Sequence, residues 1–354
     1  MGYSICIPNY NYADYIGRTI QSVLDQTYGD FEILVSDNAS TDNSAEVVRG
    51  INDERIKIHV NQCNVGFAGN LDRAARHASQ QRMIMLSSDD LMKPDALATY
   101  DRLLNSLGES ASLAIVSSAA DIIDSNDNLT GRLPPEQAVW KASDRVAELE
   151  SVVDAPVYRV AVSELLRRCL TTMKSPFMFA STCYPRKLYE TVEGYGGNRV
   201  INPDKWFSWK LMGVAETAYF IDRPLFSYRV HANNQNSLQA SAGALKFMVD
   251  EYLSSIEVDP MWLERTGLSK SEVERAFVEQ DVARHGLATL ARGERLKAKR
   301  VLRFGKAVYP WHVRRNRKAW MLAGLLALGP VGSGIARYAY QSHQQRGNGE
   351  TEPE

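Results

Sequence analysis

Two adjacent carboxylates, Asp89 and Asp90, stand where a short apolar run ends, in the stretch MIMLSSDDLMKPD at residues 83–95. Like charges side by side repel, and at the end of a buried strand they are costly unless a positive group neutralises them. Oxygen ligands of this kind suit a hard divalent cation such as Mg²⁺ or Mn²⁺. The pair therefore predicts a metal site, although either aspartate could instead cap the helix that begins near Pro94.

The elements that must hold this pair follow a strand–helix alternation through about the first 120 residues. Short apolar runs alternate with segments whose apolar residues recur at helical spacing. The strand-like runs are YSICI, FEILVS, RIKIHV, RMIML and SLAIVS. This alternation predicts an α/β fold with a Rossmann-like, mostly parallel central sheet, helices on both faces and a helical C-terminal region.

Polar residues follow each of the first four strands, at the edge where parallel sheets bind ligands. They are Pro8 to Asn11, Ser36 to Asn38, Asn61 to Asn64 and Ser87 to Asp90. Neither a G-x-G-x-x-G fingerprint nor a P-loop follows the first strand, which removes the main support for a dinucleotide dehydrogenase or a P-loop NTPase. The convergence of polar residues still predicts a binding site at this edge.

The composition narrows the function classes. The net charge of −1 gives no sign of nucleic-acid binding. Four scattered cysteines without a C-x-x-C pair indicate neither a zinc site nor a disulfide framework. The N-terminus has no basic region followed by a long apolar stretch, so we expect no secretory signal and a cytoplasmic location.

The chain divides into segments of different character. We expect a catalytic domain at 1–238 with halves at about 1–120 and 121–238, a helical region at 239–312, a basic and apolar segment at 313–340 and a disordered tail at 341–354. Residues 319–336 carry no charge and follow a cluster of basic residues. They could form an interfacial membrane anchor on the inner face of the membrane, a buried core helix or a spanning helix.

Five motifs in series resemble the N-terminal signature of the family-2 inverting glycosyltransferases, which have the GT-A fold. They are ICIPNYNYADYIGRTIQSVLDQTYGDFEILVSDNASTD, NVGFAGNLDRA, LSSDDLMKPDAL, EGYGGNRVINPDKWFSWKL and YRVHANNQNS. They span about residues 3–237 in the family's order. The resemblance implies a nucleotide-diphosphate sugar donor, a divalent metal at a D-x-D-type motif and an aspartate as general base.

The resemblance also implies roles for individual residues. Asp204 matches the catalytic base, and Asp89 and Asp90 match the last two acids of the metal motif, with Asp90 the more direct ligand. His231 falls in an element that closes over the diphosphate and could contact metal or phosphate. The nucleotide-pocket residues that the resemblance implies are Pro8, Tyr10, Asn11, Asp37, Asn38 and Asn70, with Asp89 at the diphosphate.

Two positions depart from the family pattern. Asn38 replaces an acid that would accept a hydrogen bond from a pyrimidine N3–H, which weakens the expectation of a UDP-sugar without removing it. Ser87 replaces the first acid of the metal motif, so that motif depends on Asp89 and Asp90. A base at Asp204 and a metal at the leaving group would together allow a single inverting displacement.

Several residues have simpler interpretations as well. Asp37 could form an Asx-turn, Tyr10 could only pack, Asp204 could cap the following helix, and His231 could be an ordinary hydrogen-bonding residue. We expect Trp206 and Trp209 to pack in the core and not to stack on a sugar ring.

The function itself has two alternatives, a sugar-1-phosphate nucleotidyltransferase and a non-catalytic sugar-nucleotide-binding protein. The first would need a glycine-rich basic loop where PNYNYADY stands, and the retained acids argue against the second. We therefore expect a metal-dependent glycosyltransferase. Its acceptor would be a saccharide or lipid-linked saccharide of cell-surface polysaccharide or glycolipid assembly.

Overall fold

The computed structural model describes residues 1–196, 203–231 and 244–348. These residues fall into two compact units, one of residues 1–169 and 174–231 and the other of residues 170–173 and 244–348. The predicted boundary between residues 238 and 239 lies outside the described residues, and so do parts of the motifs at 197–202 and 232–237. The four-part division of the chain remains a prediction.

The first unit contains a mixed sheet, which has ten strands within the described residues. The strands are β1 (Tyr3–Asn9), β2 (Phe31–Asp37), β3 (Ile56–Val60), β4 (Arg82–Met85), β5 (Leu91–Met92), β6 (Ala114–Ile123), β7 (Leu129–Leu133), β8 (Val157–Ala161), β9 (Cys183–Pro185) and β10 (Thr217–Arg229). Their order is β3-β2-β1-β4-β9-β6-β10-β5, with β7 paired to β6 and β8 paired to β10.

The half of the sheet formed by β3, β2, β1 and β4 is parallel throughout. β6 and β10 also run parallel, whereas β5, β7, β8 and β9 pair antiparallel to their neighbours. Every residue of β1, β2 and β4 is buried, as expected of strands covered on both faces. The predicted α/β fold is confirmed.

Helices connect and cover these strands. They are α1 (Ala13–Leu24), α2 (Ser44–Arg49), α3 (Phe67–Arg76), α4 (Ala96–Ser106), α5 (Ala147–Val153), α6 (Val162–Thr172), α7 (Arg186–Thr191) and α8 (Pro203–Val214). Short 3₁₀ turns occur at Gly108–Leu113, Ala142–Asp144 and Phe179–Ser181. α1 buries Ile16, Ile20 and Val23, which are residues that its helical spacing places on one face.

The region from 121 to 176 is more ordered than the loop with one helix that its composition predicts. Besides α6 it contains the end of β6, the strands β7 and β8, and α5. The polar stretch DSNDN is the turn of a β6–β7 hairpin, in which the Asp124 carboxylate accepts the backbone N–H groups of Asn126 and Asn128. Polar turn residues of this kind serve tight hairpins as well as long loops.

Three segments further along the chain, FMFASTCY, AETAYFI and LFSYRV, also have the residue pattern of strands, and the structure differs from this prediction in their extent. The segments AETAYFI and LFSYRV form one strand, β10, which continues past Pro224 with register shifts on either side of that residue. A shift of this kind lets a strand tolerate a proline. In FMFASTCY only Cys183 and Tyr184 are in a strand, because Phe179–Ser181 is a 3₁₀ turn.

The second unit is helical in its described part. Its helices are Ala244–Ile256, Pro260–Thr266, Lys270–Phe277, Val278–Arg284 (a π-helix), His285–Ala291, Arg295–Val308, Pro310–Arg315, Arg317–Ala327 and Pro330–Asn348. Residues 341–348 belong to the last of these helices, and 349–354 lie outside the described residues. None of the helices in the described ranges has the length and apolar character needed to cross a membrane.

Candidate functional site

The carboxyl ends of β1, β2 and β3 meet in register at one edge of the sheet. Asn9 at the end of β1 pairs with Asp37 at the end of β2, which pairs with Val60 at the end of β3. Backbone bonds continue past the strand ends, from Asn38 N–H to Asn9 O at 2.8 Å and from Asn61 N–H to Asp37 O at 2.8 Å. The polar residues that follow these strands therefore form one continuous surface.

Asp89 and Asp90 lie in the turn between β4 and β5, and both are buried. Neither caps α4, because the N-cap of that helix is Asp95. Burial raises the pKa of Asp89 above its ordinary value, and a hydrogen bond from His231 opposes the rise. Burial, followed by the charge of Asp89, raises the pKa of Asp90 well above its ordinary value. The turn therefore holds two acidic groups whose ionised forms are electrostatically costly.

Arg229, at the end of β10, is the positive group beside this pair. Its side chain is fully buried, its backbone N–H donates to Asp90 Oδ1 at 2.9 Å, and its Nε donates to Asp89 O at 2.7 Å. Its Nη1 donates to Asp124 O at 2.9 Å and forms an ion pair with Asp127. One guanidinium therefore ties the β4–β5 turn to the β6–β7 hairpin.

His231 lies two residues beyond Arg229, with Nε2 3.0 Å from Asp89 Oδ2. An ionised carboxylate only accepts, so the ring N–H is the donor when Asp89 is charged. The imidazole rests against Tyr15, with ring centroids 4.7 Å apart, and meets the Tyr12 ring edge-on at 5.8 Å. The structure thus brings together all three predicted metal-site residues, Asp89, Asp90 and His231.

Tyr12 and Tyr15, from the start of α1, form an aromatic wall on this site. Burial, then the charges of Asp89 and Asp90, raises the pKa of Tyr12 above its ordinary value. The guanidinium carbon of Arg229 lies 5.1 Å from the centre of the Tyr15 ring, within cation–π range. The wall limits contact between the carboxylate pair and water.

Within the described ranges 1–196, 203–231 and 244–348, no group of three or more His, Cys, Asp and Glu side chains is arranged to hold a metal ion. The two carboxylates nevertheless fit a hard divalent cation by donor type. They present oxygen ligands. Burial makes their ionised forms costly and so raises their pKa, and a bound positive charge would offset that cost.

Asp37 belongs to a second cluster, at the ends of β1 and β2. Its carboxylate accepts from Asn9 Nδ2 at 2.7 Å, from the Ser40 backbone N–H at 2.9 Å and from the Ser40 hydroxyl at 2.7 Å. The backbone donor is three residues on in the chain, whereas the Asx-turn of the simpler interpretation would use the residue two positions on. Ser40 Oγ also accepts from the Asn11 backbone N–H at 3.0 Å.

The loop after β1 presents Tyr10 and Asn11. Asn11 has a positive φ of 60°, and its Oδ1 accepts from Thr41 N at 2.8 Å. Tyr10 is 41% exposed, so the interpretation that it only packs in the core does not fit. Pro8, just before, is buried in β1, and its carbonyl accepts from Ser88 Oγ at 2.7 Å. This bond joins the β1 end to the segment that carries Asp89 and Asp90.

Asn38 and Asn70 belong to a network of amides below this loop. Asn38 Oδ1 accepts from Asn61 Nδ2 at 3.1 Å and from Val65 N at 2.9 Å, and its Nδ2 donates to Asn64 Oδ1 at 2.9 Å. An amide oxygen has two lone pairs, and both are used within the chain. In this conformation the Asn38 oxygen therefore has no lone pair left to receive a base N3–H.

Asn70 is satisfied in the same way. Its Nδ2 donates to Ser36 O at 3.0 Å and to Asn9 O at 3.3 Å, and its Oδ1 accepts from Ser36 Oγ at 2.8 Å and Asn61 Nδ2 at 3.0 Å. The residue is buried in α3. Its described contacts hold the ends of β1, β2 and β3 together.

Asp204 lies in the first turn of α8. It is inside the helix that begins at Pro203, so it is not the N-cap. A carboxylate in the first turn nevertheless stabilises the helix through a favourable interaction with the helix dipole. Burial first, then Tyr184 and the carboxylate of Asp204, raises the pKa of Tyr195 well above its ordinary value. The Asp204 carboxylate therefore lies near the aromatic side chain of Tyr195.

Trp206 and Trp209 are buried, as the core interpretation predicts. Trp206 lies against Gly196, where a Cβ would come 2.5 Å from the indole ring. Gly196 also has a φ of +82°, a conformation that L residues rarely adopt. Close backbone approach explains this glycine of the EGYGG motif.

Sequence reasoning assigned no individual role to four contributors: Asn9, Tyr12, Asn61 and Arg229. Asn9 and Asn61 were predicted only as members of the polar stretches after β1 and β3, and the other two only stood within the quoted motifs. No local pattern indicated the contacts of Arg229, since its partners Asp89 and Asp124 are 140 and 105 positions away in the chain.

Comparison with known proteins agrees with this architecture. Residues 4–151 match the family model Glycosyl transferase family 2. An uncharacterized glycosyltransferase of Nostoc sp. is 28% identical over 254 residues, which is 68% of this chain and 69% of that protein. The UDP-Glc:alpha-D-GlcNAc-diphosphoundecaprenol beta-1,3-glucosyltransferase WfgD of Escherichia coli is 41% identical over 88 residues, 25% of this chain and 35% of that protein.

A solved structure extends the likeness beyond the matched region. The crystal structure of S. aureus TarS in complex with UDP-GlcNAc aligns with a TM-score of 0.62 at 16% identity, covering 98% of this chain and 92% of that chain. At this identity the likeness concerns the fold. Residues 4–151 are therefore similar to glycosyl transferase family 2, and the α/β architecture is that of a GT-A fold.

Proposed function

We propose that this chain moves a sugar from a nucleotide-diphosphate donor to an acceptor hydroxyl, with inversion at the anomeric carbon. The observation that carries the proposal is the buried Asp89–Asp90 pair beside His231. The pair lies at the carboxyl ends of parallel strands, where sheets of this kind bind ligands. A buried acidic pair is costly for stability, and sites of this kind are more often kept for a ligand than for the fold.

Asp89 and Asp90, with His231 beside them, are the residues that would hold Mg²⁺ or Mn²⁺. When bound, the cation would supply positive charge against the diphosphate leaving group. Magnesium is usually held by one or two carboxylates together with substrate phosphates and water, which suits a pair of aspartates. Arg229 holds the Asp90 carboxylate through its backbone N–H and the Asp89 backbone carbonyl through its Nε.

The nucleotide would lie over the ends of β1 and β2. The exposed ring of Tyr10 offers a face for stacking on the base, and Pro8, Asn11 and Asp37 shape the loop beneath it. Asn38 and Asn70 would act through this loop, because their amides are engaged within the chain. We favour a UDP-sugar, since the TarS crystal structure contains UDP-GlcNAc and the name of WfgD specifies UDP-Glc.

Asp204 would act as the general base. Its carboxylate would take the proton of the acceptor hydroxyl as that oxygen attacks the anomeric carbon, while the bond to the diphosphate breaks on the opposite side. One such displacement inverts the configuration and needs no covalent enzyme intermediate.

The acceptor we propose is a saccharide or a lipid-linked saccharide, in cell-surface polysaccharide or glycolipid assembly at the cytoplasmic side of the membrane. WfgD, by its name, uses a diphosphoundecaprenol-linked acceptor, and the Pasteurella multocida chondroitin synthase is 38% identical over 96 residues, 27% of this chain and 10% of that protein.

A donor screen followed by one variant tests the proposal. UDP-, GDP- and dTDP-sugars with Mn²⁺ are compared by thermal shift, since a ligand that binds the native state stabilises it. With the donor so identified, Asp204→Asn should lower sugar transfer about 1000-fold, the usual range for loss of a general base, and leave donor affinity unchanged.

Asp154→Asn is the matched control, because it makes the same change at an exposed residue whose positive φ of 54° an asparagine adopts readily. It should behave as the wild type. Full turnover by Asp204→Asn would refute the base assignment, and the absence of any donor shift would refute the glycosyltransferase assignment.

A further inference from the structure

The C-terminal part of the chain has an unusual distribution of charge. Between residues 295 and 349 there are twelve Lys and Arg and no Asp or Glu, although the whole chain carries a net charge of −1. Inside this stretch, residues 319–336 carry no charged side chain at all. Such a basic stretch around an apolar segment indicates a partner that is anionic and also accepts apolar side chains.

This apolar segment forms two helices instead of one. The helix Arg317–Ala327 ends before Gly329, whose φ of +63° breaks the chain direction, and the helix Pro330–Asn348 follows. One face of the first helix packs inward through Ala319, Leu322 and Leu326. The core-helix interpretation of residues 319–336 is therefore correct for that face only.

The opposite face of the same two helices is apolar and exposed. In the second helix the exposed apolar residues are spaced by four and three positions, so they lie along one side. In the first helix two of them are adjacent, and a third follows its last turn. Trp320 is 63% exposed and Val331 is 66% exposed. The exposed apolar residues of this face are Trp320, Met321, Leu328, Val331, Ile335 and Tyr338.

Basic side chains and a second tryptophan flank this face at its N-terminal end. Arg314, Arg315 and Arg317 are exposed. The guanidinium of Arg315 lies 3.8 Å from the centre of the Trp311 ring, and Trp320 Nε1 donates to Arg314 O at 2.8 Å. No carboxylate within the described residues forms an ion pair with these three arginines, in contrast to the neighbouring Lys318, which pairs with Glu279.

We propose that this aromatic-basic face, formed by Trp311, Arg314, Arg315 and Arg317 with the exposed apolar residues of the two helices, docks on the surface of an anionic lipid bilayer. Tryptophan and tyrosine favour the level of the lipid headgroups, arginine is attracted to anionic headgroups, and the aliphatic side chains insert just below. This docking does not depend on the proposed sugar transfer.

Other occupants fit the face less well. A second copy in a symmetric contact through this face would offer the arginines no carboxylate, because residues 295–349 contain no Asp or Glu. A soluble polyanion would be attracted by the arginines but would leave the exposed tryptophan and aliphatic side chains in water. A bilayer accommodates both kinds of side chain at once.

Vesicle flotation of the full chain tests the proposal. The wild type should float with vesicles of phosphatidylcholine and phosphatidylglycerol and stay unbound with phosphatidylcholine alone. Arg314→Gln, Arg315→Gln and Arg317→Gln combined should lower the partition coefficient about 100-fold, because each arginine near an anionic surface contributes roughly a fivefold gain in membrane binding. Trp320→Ser with Met321→Ser should lower it at least about tenfold by removing the apolar contact.

Leu129→Ser and Arg49→Gln are the matched controls, since they remove an exposed apolar and an exposed basic side chain from the first unit. Both should float like the wild type. Circular dichroism and thermal melting establish that each variant folds; because the substituted side chains are exposed, all should retain the wild-type midpoint.

Four results would overturn the proposal. The first is a wild type that does not float with anionic vesicles, and the second is unchanged flotation of Trp320→Ser with Met321→Ser. The third is a concentration-dependent dimer that these substitutions dissociate, because it would assign the face to a second copy. The fourth is an affinity for soluble polyphosphate that equals the affinity for vesicles and is unchanged by Trp320→Ser with Met321→Ser, because it would assign the arginines to a soluble polyanion.

Discussion

Two buried carboxylate sites lie at opposite edges of the same sheet and differ in their electrostatics. At the edge where β2 begins, Glu32 accepts from Ser4 Oγ at 2.7 Å and from the Ser79 backbone N–H at 2.7 Å, and it pairs with Lys57 at 3.0 Å. Burial acts to raise the pKa of Glu32, but these hydrogen bonds outweigh it and lower the pKa to about 2.

At the opposite edge, burial raises the pKa of both Asp89 and Asp90 despite the nearby Arg229. The difference separates two uses of a buried charge. Glu32 is satisfied by its own chain and stabilises the fold, whereas the aspartate pair is left with excess negative charge at the edge where ligands bind. A satisfied carboxylate indicates structure, and an incompletely compensated pair indicates a ligand.

Asp90→Asn should have the largest effect, and it should lower activity without lowering stability. The substitution keeps the shape and an oxygen that can accept from Arg229 N–H, but it removes a charge that burial and Asp89 make costly. We expect donor turnover to fall about 1000-fold, since a lost metal ligand costs several kcal/mol of transition-state stabilisation. The melting midpoint should equal or exceed that of the wild type.

Release of nucleoside diphosphate with Mn²⁺ measures the first quantity and calorimetry the second. Asp25→Asn makes the same change at an exposed carboxylate at the end of α1 and should alter neither. A variant of Asp90 that is both active and less stable would mean that the pair, like Glu32, serves the fold.

Glu32→Gln should show the converse pattern, with unchanged turnover and lower stability. The folded pKa of about 2 lies below the ordinary value of 4.5, so the ionised form stabilises the native state. This contribution is complete above pH 4.5 and is lost as the pH falls toward 2. At neutral pH we expect the free energy of unfolding to fall by about 2 kcal/mol.

Urea unfolding of wild type and variant across this pH range measures the difference, which should shrink as the solution is acidified. Glu46→Gln, at a carboxylate whose side chain is 68% exposed, provides the comparison. A difference that stays constant down to pH 2 would show that the Glu32 charge does not contribute.

The contrast also explains what could be predicted from the sequence. Hydrophobic runs and helical spacing were enough for the α/β fold, because β1, β2 and β4 are mostly apolar and are buried along their whole length. The DSNDN hairpin was missed because its composition is equally typical of a long loop. The motif resemblance predicted that Asp89, Asp90 and His231 lie together, and in the structure His231 Nε2 is 3.0 Å from Asp89 Oδ2.

Partners distant in sequence were beyond this reasoning. Arg229 is one of many arginines in the chain, and only the fold brings it against Asp89 and Asp124. Amides were ambiguous for another reason. An asparagine both donates and accepts, so Asn38 and Asn70 could serve a ligand or the protein, and the structure has them bonded to the protein.

Asn38→Asp gives the smallest expected effect and tests this ambiguity directly, since it restores the acid expected at that position. The carboxylate could still accept from Asn61 Nδ2 and Val65 N, but it could no longer donate to Asn64 Oδ1 and Gly66 O, and it would place negative charge against those two oxygens. We expect the free energy of unfolding at neutral pH to fall by about 1 kcal/mol, as for one lost buried hydrogen bond.

The sign of the pH dependence should be opposite to that of Glu32. The acceptor oxygens of Asn64 and Gly66 would raise the folded pKa of the new carboxyl, so the loss of stability should appear as the pH rises and vanish in acid, where the protonated group can donate again. Asn52→Asp, at an exposed residue before β3, controls for the added charge. If Asn38→Asp instead tightens binding of a uridine diphosphate sugar with no change in stability, the amide network is dispensable and the residue contacts the base.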